Sequence, residues 1–237
     1  KKNNINAIYE KKLISKNNIQ NIIEDLKNNK LSGINVTVPF KKNILSYTDQ
    51  LTHNAEKSQS VNTIYKKDGK IVGDNTDIAG FTQAFDHINC DLKNKKIFIL
   101  GAGGVVPSII LGLKERDVLE IIISNRSRQK AEDLKEIFKE IKIIDWGKSI
   151  EADIIINATS LGLKITDEIN INYEQYKSKL FYDIIYNPSK TNFIKKSEKF
   201  GNQIENGKLM FVYQAQSAFE IWHGLKPKIN REVLDLV

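Results

Sequence analysis

The stretch Ile97–Arg128, IFILGAGGVVPSIILGLKERDVLEIIISNRSR, decides how this chain folds. Four apolar, β-prone residues, Ile97 to Leu100, read as a buried strand. Gly101, Ala102, Gly103 and Gly104 follow, and an apolar helical run continues to Leu113. A second β-branched run, Ile121 to Ile123, ends in Ser124-Asn125-Arg126. Strand, glycine-rich turn, helix and strand form the first half of a dinucleotide-binding unit. The glycines let the backbone turn tightly off the strand and approach a pyrophosphate. The next helix then offers its N–H groups and positive dipole end to that anion. The uncharged run Ile97 to Leu113 is shorter than the ~20 residues a bilayer requires, and glycines and Pro107 interrupt it. Val106 stands where the third small residue of G-x-G-x-x-G belongs. Pro107 falls in the first helical turn, where its missing N–H costs little.

The end of the second strand carries Asn125-Arg126-Ser127-Arg128, where an NAD site carries an acid for the ribose hydroxyls. Two of the chain's four arginines lie in this tetrapeptide. A guanidinium stacks on adenine and bonds a 2′-phosphate in ways a lysine does not, so the cofactor is read as NADP rather than NAD.

With 237 residues the chain is long enough for one large or two small domains. Its net charge of +7 comes from lysines scattered among Asn and Ile. No basic stripe interleaved with aromatics appears, so no nucleic-acid partner is expected. The single cysteine, Cys90, excludes an internal disulfide and fits a reducing compartment. With no signal peptide or spanning segment visible, a cytoplasmic location without membrane contact is expected. His53, His87 and His223 are too far apart in sequence for a metal motif, and no metal is expected.

Ahead of the dinucleotide unit, Asn4 to Tyr9 reads as a short strand. Ile19, Ile22, Ile23 and Leu26 form a helical stripe with Asn17 or Asn18 as cap. In Ser32–Lys41, Ile34, Val36 and Val38 alternate onto one strand face and leave Asn35 and Thr37 on the other. Pro39 ends that strand, and Lys41 opens a helix with Ile44 and Leu45. An amide, a hydroxyl and an ammonium thus gather at one strand end. Val61–Tyr65 and Lys70–Gly73 flank Asp68-Gly69, a two-residue hairpin turn. Gly73-Asp74-Asn75-Thr76-Asp77 leads into a helix through Phe81 and Phe85. Taken singly, Asn-Thr-Asp reads as a helix cap and Lys41 as a solvated lysine.

Behind the unit the alternation continues, with a helix over Lys130 to Glu140 and strands over Ile141 to Ile144 and Asp153 to Asn157. The small residues that follow, Ala158-Thr159-Ser160-Leu161-Gly162, suit a loop lying under a nicotinamide. Leu180 to Ile185 reads as a further strand, and Tyr186-Asn187-Pro188-Ser189 turns into a helix. Gly207 introduces a last helix with Val212, Ala215, Phe219 and Trp222 on one face, Gln214 one step round from it, and Gly224 as the stop.

Together these motifs resemble the shikimate dehydrogenase family, in family order and across nearly the whole chain. They are Asn-Val-Thr-x-Pro-x-Lys at Asn35 to Lys41, Val-Asn-Thr at Val61 to Thr63, and Gly-Asp-Asn-Thr-Asp at Gly73 to Asp77. Gly-Ala-Gly-Gly at Gly101 to Gly104, Asn-Arg-Ser at Asn125 to Ser127, Asn-Ala-Thr-Ser at Asn157 to Ser160, Tyr186, and Val-x-Gln-Ala around Gln214 complete the set. The resemblance implies reversible NADP-linked reduction of 3-dehydroshikimate to shikimate, a step of aromatic amino-acid and chorismate biosynthesis. It implies an α/β fold, with a mixed α/β substrate domain beside a Rossmann-like, doubly wound parallel-sheet dinucleotide domain. Residues 1–76 would form the first, 77–206 the second, and 207–237 helices that return to the substrate domain, with substrate in the cleft. By the same likeness Lys41 is the acid/base and Asp77 its orienting partner. Asn35, Thr37, Asn62 and Gln214 bind substrate, with Tyr186 beside it. The cofactor falls to Gly101, Ala102, Gly103, Gly104, Asn125, Arg126, Ser127, Arg128, Thr159, Ser160 and Gly207.

The sequence departs from the family at Ile78, where glycine is usual, and at Pro107, where arginine is frequent. The family also opens with a strand and a Ser-x-Ser motif for the substrate carboxylate, and the sequence given begins after that point. The expectation for these residues alone is an intact cofactor site with weak shikimate binding. A quinate-type dehydrogenase and a non-catalytic binding protein are the competing readings. Oligomeric state is not legible, and a homodimer is left open.

Overall fold

A computed structural model describes residues 5–237. The chain divides into two compact units, Lys1–Thr76 with Ala215–Asn230, and Asp77–Gln214 with Arg231–Val237.

The first unit carries helix α1 (Ile19–Lys27), strand β1 (Gly33–Asn35), strand β2 (Gln50–Leu51), helix α2 (His53–Ser58) and strands β3 (Thr63–Lys67) and β4 (Lys70–Asp74). Its mixed sheet has the order β1-β3-β4-β2, antiparallel except for the β2–β4 pair. The Asp68-Gly69 turn is the hairpin connection expected, with positive φ at both residues, as such two-residue turns demand. The α1 stripe Ile19, Ile23 and Leu26 packs with Val36, Ile44, Ile64 and Ile71 into this unit's core. Asn18 occupies the α1 N-cap position, without a side-chain capping bond.

Two expectations fail here. Residues 5–9 form no strand; Asn4 lies outside the described residues. The strand expected through Val38 stops at Asn35, and Val38 is 73% exposed. A turn closed by the Phe40 N–H on the Thr37 carbonyl, at 2.9 Å, takes Val38 off the core face. Lys41 consequently sits in a turn, and a short 3-10 helix follows at Asn43–Tyr47.

The second unit alternates strand and helix. Its elements are α3 (Asp77–His87), β5 (Lys96–Leu100), α4 (Val106–Lys114), β6 (Glu120–Ser124), α5 (Arg128–Ile137), β7 (Lys142–Ile144), β8 (Ile154–Asn157), β9 (Leu180–Asp183), α6 (Asn192–Lys199), β10 (Gln203–Asn206), the part of α7 (Lys208–His223) up to Gln214, and α8 (Arg231–Leu234). The six strands are all parallel in the order β10-β9-β8-β5-β6-β7. Counted from β5, that is 3-2-1-4-5-6, the doubly wound order whose switch point lies between the first and fourth strands, here β5 and β8. Strand alternation feeds two cores. Ile97, Ile99, Ile121, Ile123, Ile154 and Ile156 face α3, α4 and α5, while Phe98, Leu100, Ile122, Ile155 and Phe181 face α6 and the segment through Tyr173 and Tyr176. Each such side chain removed from water contributes about 1.5–3 kcal/mol.

Strand β10 is absent from the sequence-based expectation, since Gln-Ile-Glu-Asn has no apolar run to mark it. Strand β9 ends at Asp183 rather than Ile185. The expected return of residues 207–237 to the first domain differs from the compact units, which divide α7 after Gln214 and place Arg231–Val237 in the second unit. There Leu234 packs on the second unit's core, whereas Trp222 donates its indole N–H to the Ile64 carbonyl in the first. The apolar face expected on α7 is also redistributed. Ala215 is exposed, and Gln216 is buried with its amide donating to the Pro227 carbonyl at 2.6 Å.

Helix α3 crosses α7 at Gly80, where a β-carbon would meet the Met210 carbonyl oxygen and the Gln214 β-carbon, both at 2.7 Å. Ala is the better helix former by up to about 1 kcal/mol. Overpacking against backbone costs ~1–3 kcal/mol and outweighs that gain. Gly80→Ala is therefore expected to lower the melting temperature by roughly 2–8 °C in a thermal scan. An unchanged melting temperature would mean that the helices separate freely at this crossing.

Candidate active site

In the first unit, backbone hydrogen bonds draw the sequence-predicted residues together. The Val36 N–H donates to the Asn62 carbonyl and the Val61 N–H to the Lys41 carbonyl, at 2.8 and 2.9 Å. Lys41 and Asn35 are thus tied to the same short segment ahead of β3. The Asn35 amide donates to the Asn62 carbonyl and the Thr63 hydroxyl, and its oxygen accepts from Tyr9. Asn62 is buried. Its side-chain oxygen accepts the Thr76 N–H at 2.8 Å, and its amide donates to the Thr76 hydroxyl. Thr37 remains exposed beside them.

The Gly-Asp-Asn-Thr-Asp motif separates by role in this geometry. Asp74 accepts from the Thr52 hydroxyl, Asn75 donates to Ser58 and Ser60, and Thr76 is held by Asn62. These residues fix the end of β4. Asp77, the first residue of α3, is 5% exposed. One turn along α3, Gly80 abuts Gln214, whose amide donates to the Phe211 carbonyl. Phe211 stacks on Tyr186 with ring centroids 4.6 Å apart. Gln214 and Tyr186 are thereby linked by contacts to α3, the helix that Asp77 opens.

At the sheet's switch point the three turn glycines divide sharply. Gly101 has φ +117°, and a β-carbon there would stand 2.6 Å from the Ala158 carbonyl oxygen, so the fold itself demands glycine. Gly103 and Gly104 are exposed, with no left-handed φ; a β-carbon would meet nothing nearer than 3.9 Å at the first and nothing within 4 Å at the second. The protein makes no use of their smallness, which is what a backbone cradle for a phosphate requires at the positive end of α4. These residues therefore fit a dinucleotide. Thr159, across the turn, has its hydroxyl committed, donating to Asn157 and accepting from the Leu161 N–H, while Ser160 is exposed. Gly207 is buried against the Ile184 carbonyl, where a β-carbon would collide, so its glycine already has a reason inside the protein.

The Gly101 N–H donates to the Ser124 carbonyl at 2.8 Å, which sets Asn125 beside the turn. The Asn125 amide donates to the Ser127 carbonyl, and Ser127 stands at the α5 N-cap. The two arginines that follow β6 are not equivalent. Arg128 is paired with Glu132 at 3.1 Å and Asp145 at 2.8 Å. Arg126 is exposed and makes no ion pair among the described residues. Only Arg126 offers its guanidinium without first giving up an acid. Among the described residues no group of His, Cys, Asp and Glu could hold a metal ion, and no helix is long and apolar enough to cross a membrane.

Comparison with known proteins identifies the family. A family model for the shikimate dehydrogenase substrate binding domain matches residues 1–64, and one for shikimate / quinate 5-dehydrogenase matches residues 83–191. A shikimate dehydrogenase (NADP(+)) of Pelagibacter ubique is 53% identical, over all of this chain and 90% of its own length. The chain belongs to the shikimate dehydrogenase family. Another family member, from Caldicellulosiruptor bescii, is 38% identical over 98% of this chain and 85% of its own. The crystal structure of the Thermus thermophilus enzyme, in complex with NADP(H) and shikimate, superposes with a TM-score of 0.84. It is 27% identical and covers 94% of this chain and 84% of that one.

Sequence reasoning passed over Asp183, at the carboxyl end of β9. It is wholly buried, and burial pushes its carboxyl up to about 6, against hydrogen bonds from Thr191, Ile185 and Asn157 that pull it down. The signal was available, because an acid inside the apolar run Leu-Phe-Tyr-Asp-Ile-Ile must find partners or stay neutral.

The open space at Gly104 generates a prediction that separates fold from ligand. Gly104→Ala is expected to leave the melting temperature within about 2 °C of wild type, as for surface changes generally. NADP affinity is expected to fall at least about tenfold, the equivalent of one lost hydrogen bond. Calorimetric titration beside a thermal scan provides the check, and unchanged affinity would remove Gly104 from the cofactor site.

Proposed function

We propose that this chain interconverts 3-dehydroshikimate and shikimate with NADP(H). The observation that carries the reading is the pair of open glycines at the switch point of a 3-2-1-4-5-6 parallel sheet, in a chain that matches family members over its whole length. Bound there, NADPH supplies the hydride that reduces the substrate carbonyl carbon. Gly103, Gly104 and the start of α4 would hold its phosphates, and Arg126 its 2′-phosphate. Lys41 donates a proton to the carbonyl oxygen as negative charge builds on it, and takes that proton back in the oxidising direction. Asp77 is the acid proposed to act with Lys41, accepting from a substrate hydroxyl. Asn62, Thr37 and Gln214 meet the remaining hydroxyls, with Tyr186 alongside. Asn35, whose amide and oxygen already have partners within the protein, contributes by holding the Asn62 segment. Polar groups of this kind also reject analogues that lack the matching hydroxyl, because they would be left buried and unpaired. The enzyme so described acts in the cytoplasm on free small molecules.

A spectrophotometric assay of NADPH formation with shikimate, run beside quinate and beside NAD, tests the assignment. Turnover of quinate in preference to shikimate would transfer the reading to a quinate dehydrogenase. No turnover with either, in a protein that binds NADP, would make it a binding protein. Lys41→Ala is expected to lower turnover by ~10²–10⁴-fold while NADP affinity stays near wild type. Near-normal turnover would remove Lys41 from the chemistry.

Arg126→Ser is expected to weaken NADP by about one to two decades while leaving NAD little changed, since a charge-assisted hydrogen bond is worth ~1.5–3 kcal/mol. Arg128→Ser should have the smaller effect of the two. Parallel titrations with both cofactors decide it, and equal losses for NADP and NAD at Arg126 would reduce that residue to stacking on adenine.

A further inference from the structure

We infer that Asp183 is a positioning residue for the nicotinamide end of the cofactor site, and that its buried carboxylate ties the loops leaving β8 and β9 into one rigid piece. The inference rests on the proposed reading of the second unit as the NADP-binding one.

Three donors converge on this carboxylate, each from a different stretch of chain. The Asn157 amide at the end of β8 donates at 3.0 Å, the Ile185 N–H at the start of the Tyr186 loop at 3.0 Å, and the Thr191 hydroxyl at 2.5 Å. Thr191 is also the N-cap of α6, accepting from the Ile194 N–H. Asn157 passes the restraint on. Its amide donates again to the Leu161 carbonyl, and its oxygen accepts both the N–H and the hydroxyl of Thr159. Where this loop ends, Gly162 is held at φ +128° with no room for a β-carbon beside Thr191. Where it begins, the Ala158 carbonyl lies against Gly101. One acid therefore sets, through two intermediates, the loop that faces the glycine turn, and directly the loop that carries Tyr186.

The chemistry explains why this position is an acid. An apolar side chain would suit the strand core better, but it could not accept three hydrogen bonds from three directions. A carboxylate has lone pairs enough for all of them, and no neighbouring cation is required when each donor belongs to a loop that needs fixing.

The test compares Asp183→Ala, Asp183→Asn and Thr191→Val with wild type in the full chain. It measures NADP affinity by calorimetric titration, amide hydrogen exchange of residues 157–163 and 184–191, and KM and kcat for shikimate. Asp183→Ala is expected to weaken NADP at least about tenfold, the effect of disordering a loop held by several hydrogen bonds. Exchange should rise in those two segments while β5 and β6 stay protected. Asp183→Asn keeps an oxygen for Asn157 and Ile185 and gains an amide to donate to Thr191. It should return affinity to within about threefold of wild type, because the geometry rather than the charge is what matters. Thr191→Val should loosen 184–191 more than 157–163. Wild-type affinity and exchange in Asp183→Ala would overturn the inference, as would Asn and Ala variants equally impaired with exchange raised throughout the unit. Should Asp183→Ala fail to fold, unchanged exchange at 184–191 in Thr191→Val overturns it instead. A wild-type protein that binds no NADP defeats the functional reading, and the exchange comparison then decides the loop restraint on its own.

Discussion

The distance from Gly101 to the Ala158 carbonyl, too short to admit a β-carbon, is the constraint on which the carboxyl end of the parallel sheet depends. Neighbouring parallel strands β5 and β8 must release their chains at the switch point, in opposite directions, without leaving room for a side chain. Glycine with a positive φ at 101 solves this, and it brings the loop after β8 against the turn before α4. Once that contact is made, Gly103 and Gly104 are exposed on its outer side, and Asn125 is drawn in by the Gly101 N–H on Ser124.

Both units use the same device to hold irregular backbone in place. A buried polar side chain accepts from main-chain donors that helix and sheet leave unpaired, since burying those donors without partners is costly. Asn62 does this for Thr76 at the end of β4, Asn157 does it for Thr159, and Asp183 does it for Ile185. Asp153, only partly buried, does the same at the opposite end of the sheet, where the Lys96 N–H on its carboxylate holds it below the usual carboxylate range. Tyr182 lies in the sheet's core without such help: its ring stacks on Phe85, and its hydroxyl has no hydrogen-bond partner among the described residues. Desolvation accordingly holds that phenol well above its ordinary value.

Part of the positive charge is taken up by ion pairs at the surface. Most lysines with a partner are in exposed pairs, such as Lys190 with Glu198 and Lys196 with Glu168, which individually contribute little. The contrast between Arg126 and Arg128 matters more than the net charge, because among the described residues two acids occupy the second guanidinium and none the first.

The strands and helices of the dinucleotide unit were legible because each obeys a local rule. Short continuous apolar runs make β5, β6 and β8, glycine and proline mark the turn and the helix start, and Asp68-Gly69 closes its hairpin. The identities of Lys41, Asp77 and Gln214 as candidates came from motif order alone, since each by itself reads as a surface lysine, a cap or a helix residue. Sequence could not supply β10, which has almost no apolar signal and exists because β9 offers it a parallel edge. Nor could it separate the three glycines or the two arginines. Those distinctions rest on what stands within a few ångströms from distant parts of the chain: Ala158 at Gly101, Ile184 at Gly207, Asp145 at Arg128. Residue type and spacing determine which backbone a stretch prefers; only the fold decides which of several identical residues is left with room for a ligand.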